Sequence, residues 1–221
     1  MSQSVLIVED HELISLGLKL FLTDGNSDEY QVVGTVGDGL KAINFCEHHQ
    51  VDLVIMDTYM PNLNGIEASE IILSQNPDQK ILVISIDESI RLVKKLFEIG
   101  VSGYVSKGAS REEFLLAVKS VLETGYYLGE RESKKLIDFF LRTGKKEATE
   151  HEFSERELEI IKMICNELTT LEMAEKLSVT RRTVEIYKKN IYTKIGVNSV
   201  VGIVLYAIRN GLYEVDKPER I

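Results

Sequence analysis

The sequence predicts a doubly wound α/β domain with a five-stranded parallel sheet, followed by a small all-α domain. Three observations lead there. Between residues 4 and 125 a short apolar run is followed by a helical apolar period five times in succession. Beyond residue 125 the apolar periods are helical. Charge divides at the same place: residues 1–125 hold 9 Lys+Arg against 19 Asp+Glu, residues 126–152 hold 6 against 6, and residues 153–221 hold 11 against 10, in a chain of net charge −9.

The first strand–helix unit is SVLIV (Ser4–Val8) followed by HELISLGLKLFL (His11–Leu22). The others are QVVGTV with LKAINFCEHH, VDLVIM with IEASEIILSQ, KILVIS with IRLVKKLFEI, and VSGYVS with EEFLLAVKSVLE. Strands that are apolar throughout, rather than at alternate positions, are covered on both faces, which places helices on both sides of the sheet. Ser110 with Glu113 reads as a capping box at the start of the fifth helix. A helix is expected near Arg131–Leu141, then a charged linker without an apolar period near Thr143–Glu152. Ser154 with Glu157 and Thr169 with Glu172 open two further helices, and a third begins after Thr180. The expected divisions are 1–125, 126–152 and 153–221.

Composition excludes several classes. With 44% hydrophobic and 28% charged residues the chain has ample material for packed cores, so wholesale disorder is ruled out. The longest apolar run, Val200–Ile208, falls far short of the ~20 residues that cross a bilayer. The N-terminus reaches Glu9 and Asp10 with no basic flank, unlike a secretory signal. A cytoplasmic protein without a membrane partner is expected. Cys46 and Cys165 lie far apart with no His/Cys cluster around them, which indicates reduced thiols rather than a disulfide or a zinc site.

In doubly wound sheets the ligand site lies at the carboxyl ends of the strands. Glu9 and Asp10 follow the first strand, Asp57 follows the third, Ser85 ends the fourth and Lys107 follows the fifth. Each acid alone is readily a solvated loop residue; the constellation is the signal. Three gathered carboxylates repel unless positive charge sits among them, and an all-oxygen donor set suits a hard cation such as Mg²⁺. Lys107 supplies a second positive charge.

From about Ser4 to Gly125 the chain resembles the receiver domain of two-component response regulators. The resemblance rests on Glu9–Asp10, on Asp57 leading DTYMPNLNG with Met60, Pro61 and Gly65, and on Ser85, Tyr104 and Lys107. It implies a flavodoxin-like sheet of order 2-1-3-4-5 and a phosphoacceptor, Asp57, that takes a phosphoryl group from a phosphohistidine on a sensor histidine kinase. It also implies Mg²⁺ held by Glu9, Asp10, Asp57 and the backbone carbonyl of Tyr59. Ser85 and Tyr104 would form the switch, Ser85 drawn to the phosphoryl group and Tyr104 entering the space it leaves. Three residues depart from the pattern: Ile86 is bulky where Ala or Gly is usual and would narrow access to Asp57, Gly108 stands where many receivers have proline, and Glu9 replaces the more frequent Asp.

Lys176–Lys194 holds six basic residues against Glu185 alone, either a solvated helix face or a site for a polyanion. Helical spacing puts Val184, Tyr187, Ile191 and Ile195 on one side, so that Arg182, Glu185, Ile186 and Lys189 face outward. Thr180 and Thr183 near the helix start, with Lys188 and Lys194 on its flanks, are placed for phosphate contacts. Residues 153–197 resemble the LuxR-type helix-turn-helix through Arg156–Glu157, Glu172, Ala174, Thr183–Val184, Asn190, Lys194 and Gly196–Val197. Together the two parts resemble a response regulator of the NarL/FixJ type. Glu185 and Tyr187 stand where that family commonly has lysine and histidine, so base preference does not transfer; glutamate can accept from a cytosine amino group. Val200–Ile208 is apolar on all sides and needs either complete burial or a second subunit, and the resemblance implies a homodimer on double-stranded DNA.

The leading reading is a phosphorylation-switched transcription factor. An aspartate-nucleophile phosphatase or phosphotransferase is disfavoured because Tyr59 occupies the place of a second catalytic acid, so no enzyme is expected. The alternative is a phosphorylation-independent transcription factor whose receiver serves as a dimerisation module.

Overall fold

The computed structural model describes residues 2–25, 28–143, 153–197 and 199–213, with residues 137–143 described as backbone alone. The chain divides into two compact units, Met1–Ser133 and Lys134–Ile221.

The first unit runs β1 (Gln3–Val8), α1 (Glu12–Thr23), β2 (Tyr30–Val36), α2 (Gly39–His48), β3 (Leu53–Asp57), α3 (Gly65–Gln75), β4 (Ile81–Ser85), α4 (Ile90–Glu98), β5 (Gly103–Ser106), α5 (Arg111–Thr124) and β6 (Tyr127–Leu128). The sheet is parallel in the order β2-β1-β3-β4-β5-β6. It therefore has six strands where the sequence indicates five. Gly125 ends α5 in the left-handed region at φ 90°, and the chain turns so that Tyr127 and Leu128 pair with Gly103 and Tyr104. Two residues carry no period, so this edge strand left no pattern in the sequence.

β1, β3 and β4 end in runs that are wholly buried, as apolar strands between two helical layers must be. On one face Val5, Ile7, Leu53, Ile55, Leu82, Ile84 and Val105 pack with Leu18 and Leu22 of α1 and Phe114, Ala117, Val118 and Val121 of α5. The other face lies under α2, α3 and α4, whose Ala42, Ala68, Ile72, Val93, Leu96 and Phe97 are buried.

Local signals fix the helix starts. Asp38, Asn64, Ser89 and Ser110 each accept a backbone N–H from three residues on, satisfying one of the donors a helix leaves open at its N-terminus. The capping box expected at Ser110 is only half formed: its hydroxyl accepts from Glu113 N, without the reciprocal glutamate bond.

α6 (Glu130–Thr143) matches the helix expected near Arg131–Leu141, and in it the chain passes from the first unit to the second. The linker expected near Thr143–Glu152 lies, after Thr143, outside the described residues. The second unit continues with α7 (Glu155–Cys165), α8 (Thr170–Leu177), α9 (Arg181–Ile195) and α10 (Val200–Arg209). Complete capping boxes at Ser154/Glu157 and Thr169/Glu172 open α7 and α8. Ile160, Ile161 and Ile164 of α7, Met173 and Leu177 of α8, Val184 and Ile191 of α9, and Val201, Ile203 and Ala207 of α10 form its core. Val204, Leu205 and Ile208 of α10 are only half-buried, so the helix is not enclosed on every side. No single helix among the described residues is long and apolar enough to cross a membrane.

Candidate functional site

The sheet order brings the ends of β1, β3, β4 and β5 side by side, and four of the chemically distinctive residues sit there. Glu9 leaves β1 with its N–H on the Val36 carbonyl at 2.9 Å, and its side chain is buried. Asp57 closes β3 and is buried too. Lys107 follows β5, held by its N–H on the Ser85 carbonyl at 2.8 Å. Its ammonium lies 2.8 Å from Glu9 Oε2 and 2.9 Å from Asp57 Oδ2, bridging the two acids. Burial works against a charged lysine, but the hydrogen bonds and negative charges of Glu9 and Asp57 outweigh it and raise the Lys107 pKa above its ordinary value.

Asp10 stands beside them, more open to solvent. His11 lies between the two N-terminal acids, its Nδ1 3.2 Å from Glu9 Oε1 and 3.0 Å from Asp10 Oδ1. Donor atoms of Glu9, Asp10, His11 and Asp57 all lie within 4.8 Å of one another. Carboxylate oxygens this close fit one small divalent cation, since opposed ligands of an octahedral Mg²⁺ at ~2.1 Å stand about 4.2 Å apart. The chemistry of the donor set thus suits the expected ion.

The loop from Asp57 to α3 folds back tightly. Gly65 donates to the Thr58 carbonyl at 3.0 Å, and a Cβ there would overlap the Asp57 carbonyl oxygen, so DTYMPNLNG needs glycine at its last place. Tyr59 begins this loop with an exposed side chain whose hydroxyl donates to Asp87 Oδ2 at 3.2 Å. Ile86, next to Ser85 in the chain, is 76% exposed.

Ser85 and Tyr104 are both buried. Ser85 Oγ lies 2.8 Å from Thr58 Oγ1 and accepts the Asp87 N–H at 3.0 Å. Tyr104 donates to the Asp87 carbonyl at 2.9 Å, and burial, together with the charges of Glu88, Glu132 and Asp87, raises its pKa well above the ordinary tyrosine value. Asp87 thus touches Ser85, Tyr104 and Tyr59. Thr58, Asp87 and His11 were not picked out in the sequence. Their signal was adjacency, since each stands within two residues of a residue that was.

On α9 the expected outward residues Arg182, Glu185, Ile186 and Lys189 are exposed, and Val184 and Ile191 are buried. Thr180 caps the helix, accepting Thr183 N at 3.2 Å, and the two hydroxyls lie 2.9 Å apart. Both flanking lysines have acid partners, and one of them differs from expectation. Lys188, expected on a flank facing phosphate, is buried, with Nζ 3.1 Å from Glu185 Oε1 and 3.4 Å from Thr170 Oγ1. Lys194 Nζ lies 2.7 Å from Glu157 Oε2 and over the Phe153 ring. In each case an acid on the same or a neighbouring helix pairs with the ammonium.

The sequence matches the response regulator receiver domain family over residues 5–119 and the luxR family of bacterial regulatory proteins over residues 151–207. The response regulator UvrY of Escherichia coli is 32% identical over 95% of both chains. Among solved structures, the CheX–CheY–BeF₃–Mg²⁺ complex from Borrelia burgdorferi matches with 27% identity and a TM-score of 0.50, covering 54% of this chain and 88% of that one. A structure of two RcsB dimers bound to two parallel DNAs shares the fold at 21% identity and a TM-score of 0.56, covering 95% of this chain and 99% of that one. A receiver match and a luxR match in this order, with a relative aligned end to end, show that the chain belongs to the two-component response regulators of the NarL/FixJ type, which carry a LuxR-type DNA-binding domain.

Proposed function

We propose that this protein is a cytoplasmic transcription factor switched by Mg²⁺-dependent phosphorylation of Asp57 by a sensor histidine kinase. One observation carries the reading: the buried Asp57 carboxylate, held at one oxygen by Lys107, at the rim where Glu9 and Asp10 converge. The Asp57 oxygen not held by Lys107 attacks the phosphorus of a phosphohistidine; the O–P bond forms as the P–N bond breaks, and the histidine nitrogen keeps the electron pair. Lys107 is placed to stabilise charge on the equatorial oxygens. Glu9, Asp10, Asp57 and the Tyr59 carbonyl would hold Mg²⁺, which supplies further positive charge there. Likeness to a CheY solved with BeF₃ and Mg²⁺ supports the choice of ion.

Ser85 then donates to a phosphoryl oxygen. Driving a two-state switch from 1:99 to 99:1 takes about 5.5 kcal/mol, within reach of a few charge-assisted hydrogen bonds. The Tyr104 hydroxyl, bonded to Asp87, is the reporter of that movement.

The second unit would meet double-stranded DNA through α9. Arg182, Ile186 and Lys189 face outward, and Thr180 and Thr183 stand at the helix start for phosphate contact. Glu185 spends Oε1 on Thr170 and Lys188, which leaves Oε2 for a cytosine amino group. The half-buried side of α10 is the surface proposed to pair two copies on a palindromic site.

Incubation with acetyl phosphate and Mg²⁺, followed by intact mass, is the test. One phosphoryl adduct on the wild type, none on Asp57→Ala, and tighter DNA binding by the phosphorylated form are expected. An unmodified wild type, with DNA affinity equal to that of Asp57→Ala, would overturn the switch and favour the module.

A further inference from the structure

The residue after Asp57 carries a hydroxyl into a fully buried place. Thr58 is 0% exposed, and its Oγ1 has one hydrogen-bond partner, Ser85 Oγ at 2.8 Å. Ser85 is likewise 0% exposed and also accepts the Asp87 N–H at 3.0 Å. The two hydroxyls hold two protons but share one O···O contact, so one proton has no acceptor within the pair. A buried donor left unmade is costly, and its location therefore matters.

If Ser85 gave its proton to Thr58, the spare proton would sit on Thr58, beneath the sheet rim and enclosed. If Thr58 donates, both Ser85 lone pairs are filled, by Thr58 and by the Asp87 N–H. The spare proton is then on Ser85, at the end of β4 next to the end of β3 that carries Asp57. A phosphoryl oxygen on Asp57 is the acceptor that completes this arrangement. A hydroxyl that already accepts two hydrogen bonds is also a stronger donor.

We propose that Thr58 is a positioning residue: its hydroxyl donates to Ser85 and thereby fixes Ser85 as the donor to the phosphoryl group on Asp57. This rests on the phosphoryl-transfer reading. Asp57 does the chemistry, Ser85 makes the contact, and Thr58 acts only through Ser85.

The full chain is titrated with beryllofluoride in saturating Mg²⁺, with the bound ¹⁹F signal read by NMR. Thr58→Val keeps the shape and removes the hydroxyl, and is expected to bind about three- to tenfold more weakly, the loss of one hydrogen bond. Thr58→Ser restores the hydroxyl and should bind as the wild type does. In a Ser85→Ala background Thr58→Val should add nothing, because the group it acts through is gone. Thr58→Ala, checked for a folded circular dichroism spectrum, replaces Thr58→Val should the latter not fold. Wild-type affinity in Thr58→Val, an additive loss in the double variant, or failure of Thr58→Ser to rescue would overturn the proposal. Tighter binding by Thr58→Val would overturn it too, by making Thr58 a competitor for the Ser85 proton. A wild type that binds no beryllofluoride at all would instead bring down the phosphoryl-transfer reading itself.

Discussion

Replacing Lys107 by methionine should weaken the metal-free protein and strengthen its grip on Mg²⁺. The ammonium stands 2.8 Å from Glu9 and 2.9 Å from Asp57, both buried. At an effective dielectric constant near 20 each contact is worth roughly 6 kcal/mol before desolvation is counted. Desolvation of three groups cancels much of that, and removing one partner of such a cluster costs about 3–5 kcal/mol, because the remaining charges stay buried and unpaired. For a unit of this size that is roughly 10–20 °C of melting temperature. The two abandoned carboxylates then favour a divalent ion, and a tenfold gain in affinity requires only about 1.4 kcal/mol of the lost attraction. Melting of the full chain in chelator and in Mg²⁺, with calorimetric titration of the ion, measures both effects. The variant should melt well below the wild type in chelator, recover most of the difference in Mg²⁺, and bind the ion more tightly. Equal melting in chelator, or Mg²⁺ affinity unchanged or weakened, would refute the reasoning.

Two further outcomes follow from the second unit. Burial resists charge on Glu157, yet hydrogen bonds from Lys194 and Ser154 hold its pKa below the ordinary 4.5; its contribution to stability is therefore present above that value and lost as pH falls below it toward the folded-state pKa, so acid titration of Glu157→Gln should show a shallower loss than the wild type. Lys189→Met should reduce the salt dependence of DNA binding by about one counterion, seen as a shallower log–log slope, whereas Lys188→Met should leave the slope unchanged, its ammonium being already paired with Glu185. Equal slopes for the two variants would place Lys188 on the DNA side after all.

The five strands and their helices were legible because burial on both faces makes each strand an unbroken apolar run, and the rim residues because topology forces strand ends together. Nothing comparable marks β6: Tyr127 and Leu128 are set in the sheet by the turn at Gly125, a tertiary event with no period of its own. The two lysines of α9 show a different limit. Spacing gave the side of the helix from which each stem leaves, but a flexible four-carbon stem lets the ammonium seek the nearest acid: Glu185, three residues before Lys188, is in reach by helical spacing alone, whereas Glu157 on α7 becomes a neighbour of Lys194 only in the folded unit. Ser110 fell between these cases. The hydroxyl arm of its capping box depends on local backbone alone and formed, whereas the glutamate arm depends on a side chain free to turn elsewhere.

The β4–α4 loop is where a change at Asp57 would be converted into a change elsewhere. Asp87 donates its N–H to Ser85 and accepts from Tyr104 at its carbonyl and from Tyr59 at its carboxylate, so it links the two buried residues Ser85 and Tyr104. The next residue, Glu88, accepts from Ser106 at 2.9 Å and pairs with Arg131 of α6 at 3.1 Å. A pair as exposed as Glu88–Arg131 adds little to stability. That weakness suits a signalling contact: the strong bonds lie around the buried hydroxyls, where a phosphoryl group would act, and the weak one lies at the start of the helix that leads into the second unit. A contact this weak can be released for a small fraction of the roughly 5.5 kcal/mol that a full switch requires.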